Sequence, residues 1–203
     1  MKKRIGILNS GGDVPGLNAV IASAVKTAYN NDYECLGFIK GFEGTLDPVS
    51  FEVLTPQSVW ETTGKGGTIL KSVNKGRFPG KVGDGKMSAI QKNIILEAKA
   101  NLDELGVEAL IVIGGDGTLT TANAISELGV NVVGVPKTID NDLRGTDVTF
   151  GFSTAVEAIV ETIDRLRTTA SSHDRIFFVE TMGRNAGWLA LYGGIAAEAD
   201  IIL

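Results

Sequence analysis

Short apolar, β-branched runs alternate with amphipathic stretches along the chain. That alternation predicts an α/β fold, an open and mostly parallel sheet with helices on both faces. A first strand is read at residues 4–8, a helix at 17–28 and a second strand at 35–39. From 41 to 85 the pattern dissolves into Gly, Thr, Lys and Pro, too long a stretch for a silent connection in a compact domain. It either holds short irregular elements or is functional. Helical spacing returns at 88–105, where Ile90, Ile94, Ala98, Leu102 and Leu105 share a stripe and Gly106 marks the stop. The continuous apolar run at 109–113 predicts a central strand buried on both faces. A short helix at 120–128 and a strand at 131–135 follow, the latter closed by Pro136. Val156, Ile159, Val160, Ile163 and Leu166 place one stripe on a helix at 154–168. A strand at 175–180, a helix at 185–197 and a strand opening at 200–203 complete the reading. That last strand has no turn or cap after it, so the chain reads as cut short and its second domain as incomplete. The expected division is a first α/β domain at 1–140 and the beginning of a second at 141–203.

Composition narrows the function. The chain has 203 residues, 43% hydrophobic and 21% charged, the profile of a soluble globular protein. Its net charge is −5 and no Lys/Arg cluster lies where a nucleic-acid backbone would need it, which excludes an electrostatic DNA binder. No stretch approaches a membrane span, and the apolar run after the basic start breaks at Asn9-Ser10-Gly11-Gly12, too early for a signal peptide. The single cysteine, Cys35, cannot form an internal disulfide and reads as a small core residue, which fits a reducing, cytoplasmic compartment. The outlier is glycine: 26 of 203 residues, nearly twice the usual ~7%. These glycines cluster after the predicted strands, where ligands sit in an open parallel sheet.

Four such segments carry candidate chemistry. Residues 9–18 (NSGGDVPGLN) put paired glycines before a helix, where backbone N–H groups and the helix N-terminus suit a phosphate. The segment is neither a dinucleotide fingerprint nor a P-loop, and by itself a tight strand-to-helix turn accounts for it equally. Gly114-Gly115-Asp116-Gly117-Thr118 sets one carboxylate among glycines, suited to holding Mg²⁺ while the backbone admits a triphosphate. Pro136-Lys137-Thr138-Ile139-Asp140-Asn141-Asp142 supplies a base, a cation and a second acid, the parts for phosphoryl transfer, although the same residues could form a solvated loop. Met182-Gly183-Arg184-Asn185 places an arginine, with its planar two-pronged fork, near the same edge for a substrate phosphate. Arg175 starts at the opposite end of its predicted strand. It is either a structural ion-pair residue or a contributor to a neighbouring subunit's site.

With SGGDVPGLNAVI, GGDGT, PKTIDND and SSHDRIFFVETMGRNAGWLA in this order, the sequence resembles the 6-phosphofructokinase family over essentially its whole length. The resemblance implies a phosphofructokinase-like fold and transfer of a phosphoryl group to the C1 hydroxyl of fructose 6-phosphate. Mg²⁺ and ATP, or in some members pyrophosphate, serve the reaction. It implies Asp140 as the base, assisted by Lys137 and Asp142, with Thr138 and Ile139 lining the sugar. It makes Asp116 the Mg²⁺ ligand and Gly12, Gly115, Gly117 and Thr118 the nucleotide phosphate cradle. Arg77 and Phe78, in GGTILKSVNKGRFPG, match the other nucleotide-contacting segment, with 72–76 longer than in compact bacterial enzymes. Met182, Gly183 and Arg184 match the substrate-contacting turn, and Arg175 the arginine that reaches the substrate phosphate across an interface of a homo-oligomer, a dimer or tetramer. Lys137 is typical of pyrophosphate-dependent members, but those usually carry Asp where this chain has Gly117. The combination resembles the subgroup that keeps ATP, with pyrophosphate as the runner-up. Family members continue well past this length, so a non-catalytic nucleotide-binding fragment is the rival reading. His173 is expected to pack or bond near an interface, Trp60 and Trp188 to pack, and Arg165 and Arg167 to form helix-surface ion pairs.

Overall fold

The structure, a computed structural model, describes residues 2–73, 76–78 and 90–203. The chain divides into two compact units, Met1–Lys137 and Thr138–Leu203.

In the first unit, strand β1 (Lys3–Asn9) leads through the glycine loop to helix α1 (Leu17–Asn30), and β2 (Tyr33–Phe38) returns beside β1. A 3₁₀ turn at Gly41–Thr45 precedes the short strand β3 (Phe51–Leu54). Helix α2 (Lys92–Glu104), strand β4 (Val107–Gly114), helix α3 (Asp116–Ser126) and strand β5 (Asn131–Thr138) follow. The five strands lie in the order β3-β2-β1-β4-β5, all parallel except β3, which runs antiparallel to β2. After β1 the chain builds outward to β2; after β4 it builds the other way, to β5. The sheet therefore reverses its winding between β1 and β4, which opens a crevice beyond their carboxyl ends.

Both faces of this sheet carry helices, so its central strands are apolar at consecutive positions. On one face Leu8, Leu36, Phe38, Leu110 and Val112 meet Ile94, Ala98 and Leu102 of α2 and Ala122 and Ile125 of α3. The register pairs Ile5 with Cys35 and Ile7 with Ile111, putting these on the other face, the side of α1. There α1 lies beside a groove whose walls include Ile5, Val20, Ala24, Ile111, Val133 and Val135. Cys35 is buried as expected, and burial, with a smaller contribution from Glu34, pushes its thiol up to about 11. At the other end of the sheet, Arg4 pairs with Glu34 at 2.7 Å and donates to the Leu105 carbonyl at 2.9 Å, tying β1, β2 and the end of α2 together.

The second unit holds the two-residue strand β6 (Phe150–Gly151), the long helix α4 (Phe152–His173) and α5 (Trp188–Ala196). The apolar stripe of α4 is half-buried against α5, with Phe152 edge-on to Tyr192. Two predicted strands of this unit are corrected. Residues 175–180 and 200–203 form none, and Ile176 and Phe178 are exposed. A strand exists by hydrogen bonding to a neighbour, and these apolar runs have no ladder partner among the described residues. Trp60, expected to pack, is 69% exposed, whereas Trp188 is half-covered, edge-on to Tyr192. Residues 88 and 89, at the start of the helix read at 88–105, lie outside the described residues. Arg165 pairs with Glu161 one helical turn away, as expected. Arg167 reaches Glu198, past the end of α5. His173 is exposed in the last turn of α4. No helix among the described residues is long and apolar enough to cross a membrane.

Candidate functional site

The winding reversal brings two glycine segments side by side. Asn9 at the end of β1 pairs in register with Ile113 of β4, and the Ser10 N–H donates to the Ile113 carbonyl at 3.1 Å. Beyond that bond, residues 10–16 lead into α1 and Gly115 leads into α3. Gly16 sits at φ 100°, a left-handed conformation that a side chain would strain, and Gly115 is extended. The N-cap residue of each helix is a glycine, which has no side chain to cap the first turn. Two such helix starts beside one crevice form an anion-attracting mouth.

Gly12 has open space where a side chain would stand: no atom lies within 4 Å of its Cβ position. Gly114 is the opposite case. A Cβ there would lie 2.3 Å from Thr118, so this glycine lets the first turn of α3 fold back on the end of β4. Asp116, which the sequence pattern placed in a loop, is the first residue of α3, and its side chain is exposed. Thr118 lies across from the first loop, its hydroxyl 3.8 Å from the Cβ position of Gly11.

Lys137 touches both glycine segments. Only 5% exposed, it donates from Nζ to the Gly12 carbonyl at 2.5 Å, and its own carbonyl lies 3.4 Å from the Cβ position of Gly115. A buried cation under a glycine loop adds positive potential where an anion would rest.

Mg²⁺ keeps several waters and takes one or two carboxylates plus substrate phosphates, so a single exposed carboxylate at a phosphate mouth suits it. Among the described residues no group of three or more His, Cys, Asp or Glu forms an all-protein metal cage. Asp116 thus fits the part of a ligand to a phosphate-bound Mg²⁺.

Arg77 and Phe78 are held by the 3₁₀ turn at Gly41–Thr45 and its neighbours. Arg77 pairs with Glu43 at 3.2 Å and Glu97 at 3.5 Å and donates to the Asp47 carbonyl at 3.3 Å, while Phe78 stacks against Phe42, ring centres 5.1 Å apart. A nucleotide would compete with two carboxylates for this guanidinium.

The remaining candidates belong to the second unit. Just past the end of β5, Asp140 donates its backbone N–H to the Thr138 hydroxyl at 3.1 Å. The fully buried Thr149 holds this turn: its hydroxyl donates to the Thr138 carbonyl at 2.7 Å, and its N–H to Asn141 Oδ1 at 2.9 Å. Asn141 is left-handed, φ 48°, as short amide side chains tolerate. Gly183 and Arg184 also have positive φ, and the Ala186 N–H closes their turn on the Gly183 carbonyl at 2.7 Å. Met182, Arg184 and Arg175 are exposed.

Sequence reasoning missed the polar groups that hold these segments: Asn9, Asn18 and Thr149, all buried. The available signal was a polar side chain in an otherwise apolar run, such as Asn18 between Leu17 and Ala19.

Comparison with known proteins bears on the fold and the family. The phosphofructokinase family model matches residues 4–203. The chain is 50% identical over 202 residues to the ATP-dependent 6-phosphofructokinase of Chloroflexus aggregans, covering 100% of this chain and 56% of that protein. It is 52% identical to ATP-dependent 6-phosphofructokinase 2 of Clostridium perfringens, covering 99% and 55%. Among solved structures, phosphofructokinase from Saccharomyces cerevisiae superposes with a TM-score of 0.85 at 33% identity, over 98% of this chain and 28% of that one. A pyrophosphate-dependent phosphofructokinase from Marinobacter aquaeolei shares the fold, with a TM-score of 0.74 at 23% identity over 96% and 49%. The chain spans about half the length of the curated relatives it matches. On the family match and these identities, the chain belongs to the phosphofructokinase family.

Proposed function

We propose that the chain carries the donor site and the general base of an ATP-dependent 6-phosphofructokinase, which transfers the γ-phosphoryl group of ATP to the C1 hydroxyl of fructose 6-phosphate. The observation that supports this best is the pair of glycine segments at the β1/β4 crevice, each opening a helix with a glycine N-cap and both touched by the buried Lys137. The nearest chemical fit to such a mouth is a chain of phosphates.

In this reading Gly12, Gly115, Gly117 and Thr118 receive the donor phosphates, and Lys137 supports them from below. Asp116 would hold Mg²⁺, whose charge offsets that spread over the phosphate oxygens during transfer. The Asp140 carboxylate takes the proton of the C1 hydroxyl as its oxygen attacks the γ-phosphorus, and the bond to the bridging β-phosphate oxygen breaks to release ADP. Asp142 assists, while Thr138, Ile139, Met182, Gly183, Arg184 and, across a homo-oligomer interface, Arg175 recognise the sugar phosphate. ATP is preferred as donor because Gly117 leaves the phosphate path without a side chain, and because the relatives at about 50% identity are named ATP-dependent. The cytoplasm, where its substrates occur, is the proposed location.

A coupled assay with ATP and with pyrophosphate tests this. The expected result is ADP release that depends on both Mg²⁺ and fructose 6-phosphate, reduced ~10²–10⁴-fold in Asp140→Asn while MgATP binding persists. Turnover only with pyrophosphate would reassign the donor. MgATP binding without turnover from either donor would leave the chain as a nucleotide-binding portion and sink the catalytic reading for it.

A further inference from the structure

The glycine loop between β1 and α1 is flanked by two buried amides that both reach the same distant segment. Asn9, the last residue of β1, is 1% exposed, and Asn18, the second residue of α1, is 2% exposed. Asn9 donates from Nδ2 to the Lys71 carbonyl at 3.0 Å and accepts at Oδ1 from the Thr68 hydroxyl at 2.6 Å. Asn18 donates from Nδ2 to the Lys65 carbonyl at 3.0 Å and accepts at Oδ1 from the Ile69 N–H at 2.9 Å. Between these two anchors, the Ser72 hydroxyl donates to the Gly11 carbonyl. Residues 65–72 are thereby stitched to both ends and the middle of the loop.

The choice of residue type follows from what the segment lacks. Residues 65–72 contain neither helix nor strand, so their buried backbone groups need side-chain partners. An amide offers a donor and an acceptor on separate atoms of one short side chain, so it can reach two backbone groups at once. A carboxylate of the same shape would keep the acceptor and turn a negative oxygen toward the Lys65 or Lys71 carbonyl. Lys71 is also held at φ 58°, a conformation a non-glycine residue keeps only where its surroundings fix it. The Asn9 bond to its carbonyl is one such fixture.

We propose that Asn9 and Asn18 are positioning residues of the donor site: they hold residues 65–72 as a fixed wall beside the Gly11–Gly12 loop, so that incoming phosphates meet a formed cradle. This rests on the donor-site reading above. A wall ordered in advance spares the nucleotide the cost of ordering it, so its loss weakens binding before it affects transfer.

Trypsin reports directly on the wall, because Lys65 and Lys71 are exposed and lie within it. Asn9→Asp, Asn18→Asp and the milder Thr68→Val, which removes only the hydroxyl bonded to Asn9, are compared with the unsubstituted chain. Native-state cleavage after these two lysines is followed by mass spectrometry, and MgATP affinity by calorimetry. Expected are at least ten-fold faster cleavage at both bonds in each Asp variant, unchanged cleavage after Lys26 in α1, and a MgATP Kd raised ten-fold or more. Saturating MgATP slows the cleavage. Thr68→Val shifts the same readouts in the same direction by a smaller factor, and decides the matter should an Asp variant fail to fold. Faster cleavage with unchanged Kd would show that the wall is no part of the donor site, and unchanged cleavage that the asparagines do not hold it. Either result overturns the proposal and leaves the donor site standing. Absence of MgATP binding by the unsubstituted chain would remove the donor-site reading itself, and the proposal with it.

Discussion

At the scale of single residues, space and charge separate positions that look alike in sequence. Gly12 and Gly114 both stand in glycine pairs, yet a methyl group at the first meets nothing, while at the second it would lie 2.3 Å from Thr118. Gly12 also lies outside the left-handed region, so alanine is tolerated there by the backbone. Gly12→Ala is therefore expected to leave the melting temperature within a degree or two. Its methyl group would occupy the space proposed for a phosphate, and calorimetry should show MgATP affinity reduced ten-fold or more, about 1.4 kcal/mol. Unchanged affinity would mean that the open space at Gly12 is not where the donor sits. Lys137 makes a related point about legibility. Its place within PKTIDND marked it as a cation for transfer, but only the fold shows Nζ on the Gly12 carbonyl, 125 residues away in sequence.

At the scale of elements, helices and buried strands were legible where the apolar pattern is dictated by local geometry. The continuous run in β4 and the stripe on α4 both follow from side-chain periodicity. Elements that depend on a neighbour were not. The short antiparallel strand β3 has three of its four residues exposed and exists by pairing with β2. The apolar run at 175–180, a better strand by composition, pairs with nothing among the described residues and forms none. The α4–α5 pair shows the same dependence quantitatively. Gly193 of α5 faces Ile159 of α4, and a Cβ there would lie 2.6 Å from Ile159 Cγ2. Alanine gains about 1 kcal/mol over glycine in a helix, but overpacking costs about 1–3 kcal/mol, so the clash decides the sign. Gly193→Ala is expected to destabilise the unit, and Ile159→Ala, which removes the clashing methyl, to make the pair of substitutions less costly than their sum. Urea unfolding of the two single variants and the double variant checks this, with full additivity as the contrary result.

At the scale of the whole molecule, the two units differ in how much core each assembles. The first closes around a five-stranded sheet with fully buried Ile7, Leu8, Phe38, Leu110 and Ile113. In the second, the buried apolar side chains among the described residues are Phe152, Leu189 and Ala197, while Ile176, Phe178, Met182 and Ile195 are largely exposed. Apolar burial is the principal favourable contribution to folding, and units of this size have little of it to offset chain entropy. The chain spans about half the length of its relatives, and within it the first unit holds a five-stranded sheet, whereas the unit bearing Asp140 rests on two helices and a turn held by Thr149. Local opening should therefore differ sharply between them. In native-state amide exchange, β1 and β4 are expected to be protected to the level of global unfolding, and α4 and α5 to exchange at least a hundred-fold faster, about 2.7 kcal/mol less protected. Fructose 6-phosphate, if it is the acceptor, should slow exchange in the second unit and leave β1 and β4 unchanged, since a ligand stabilises the state that binds it. Equal protection of α4 and β4 without ligand would show that the second unit draws its stability from something other than its own core.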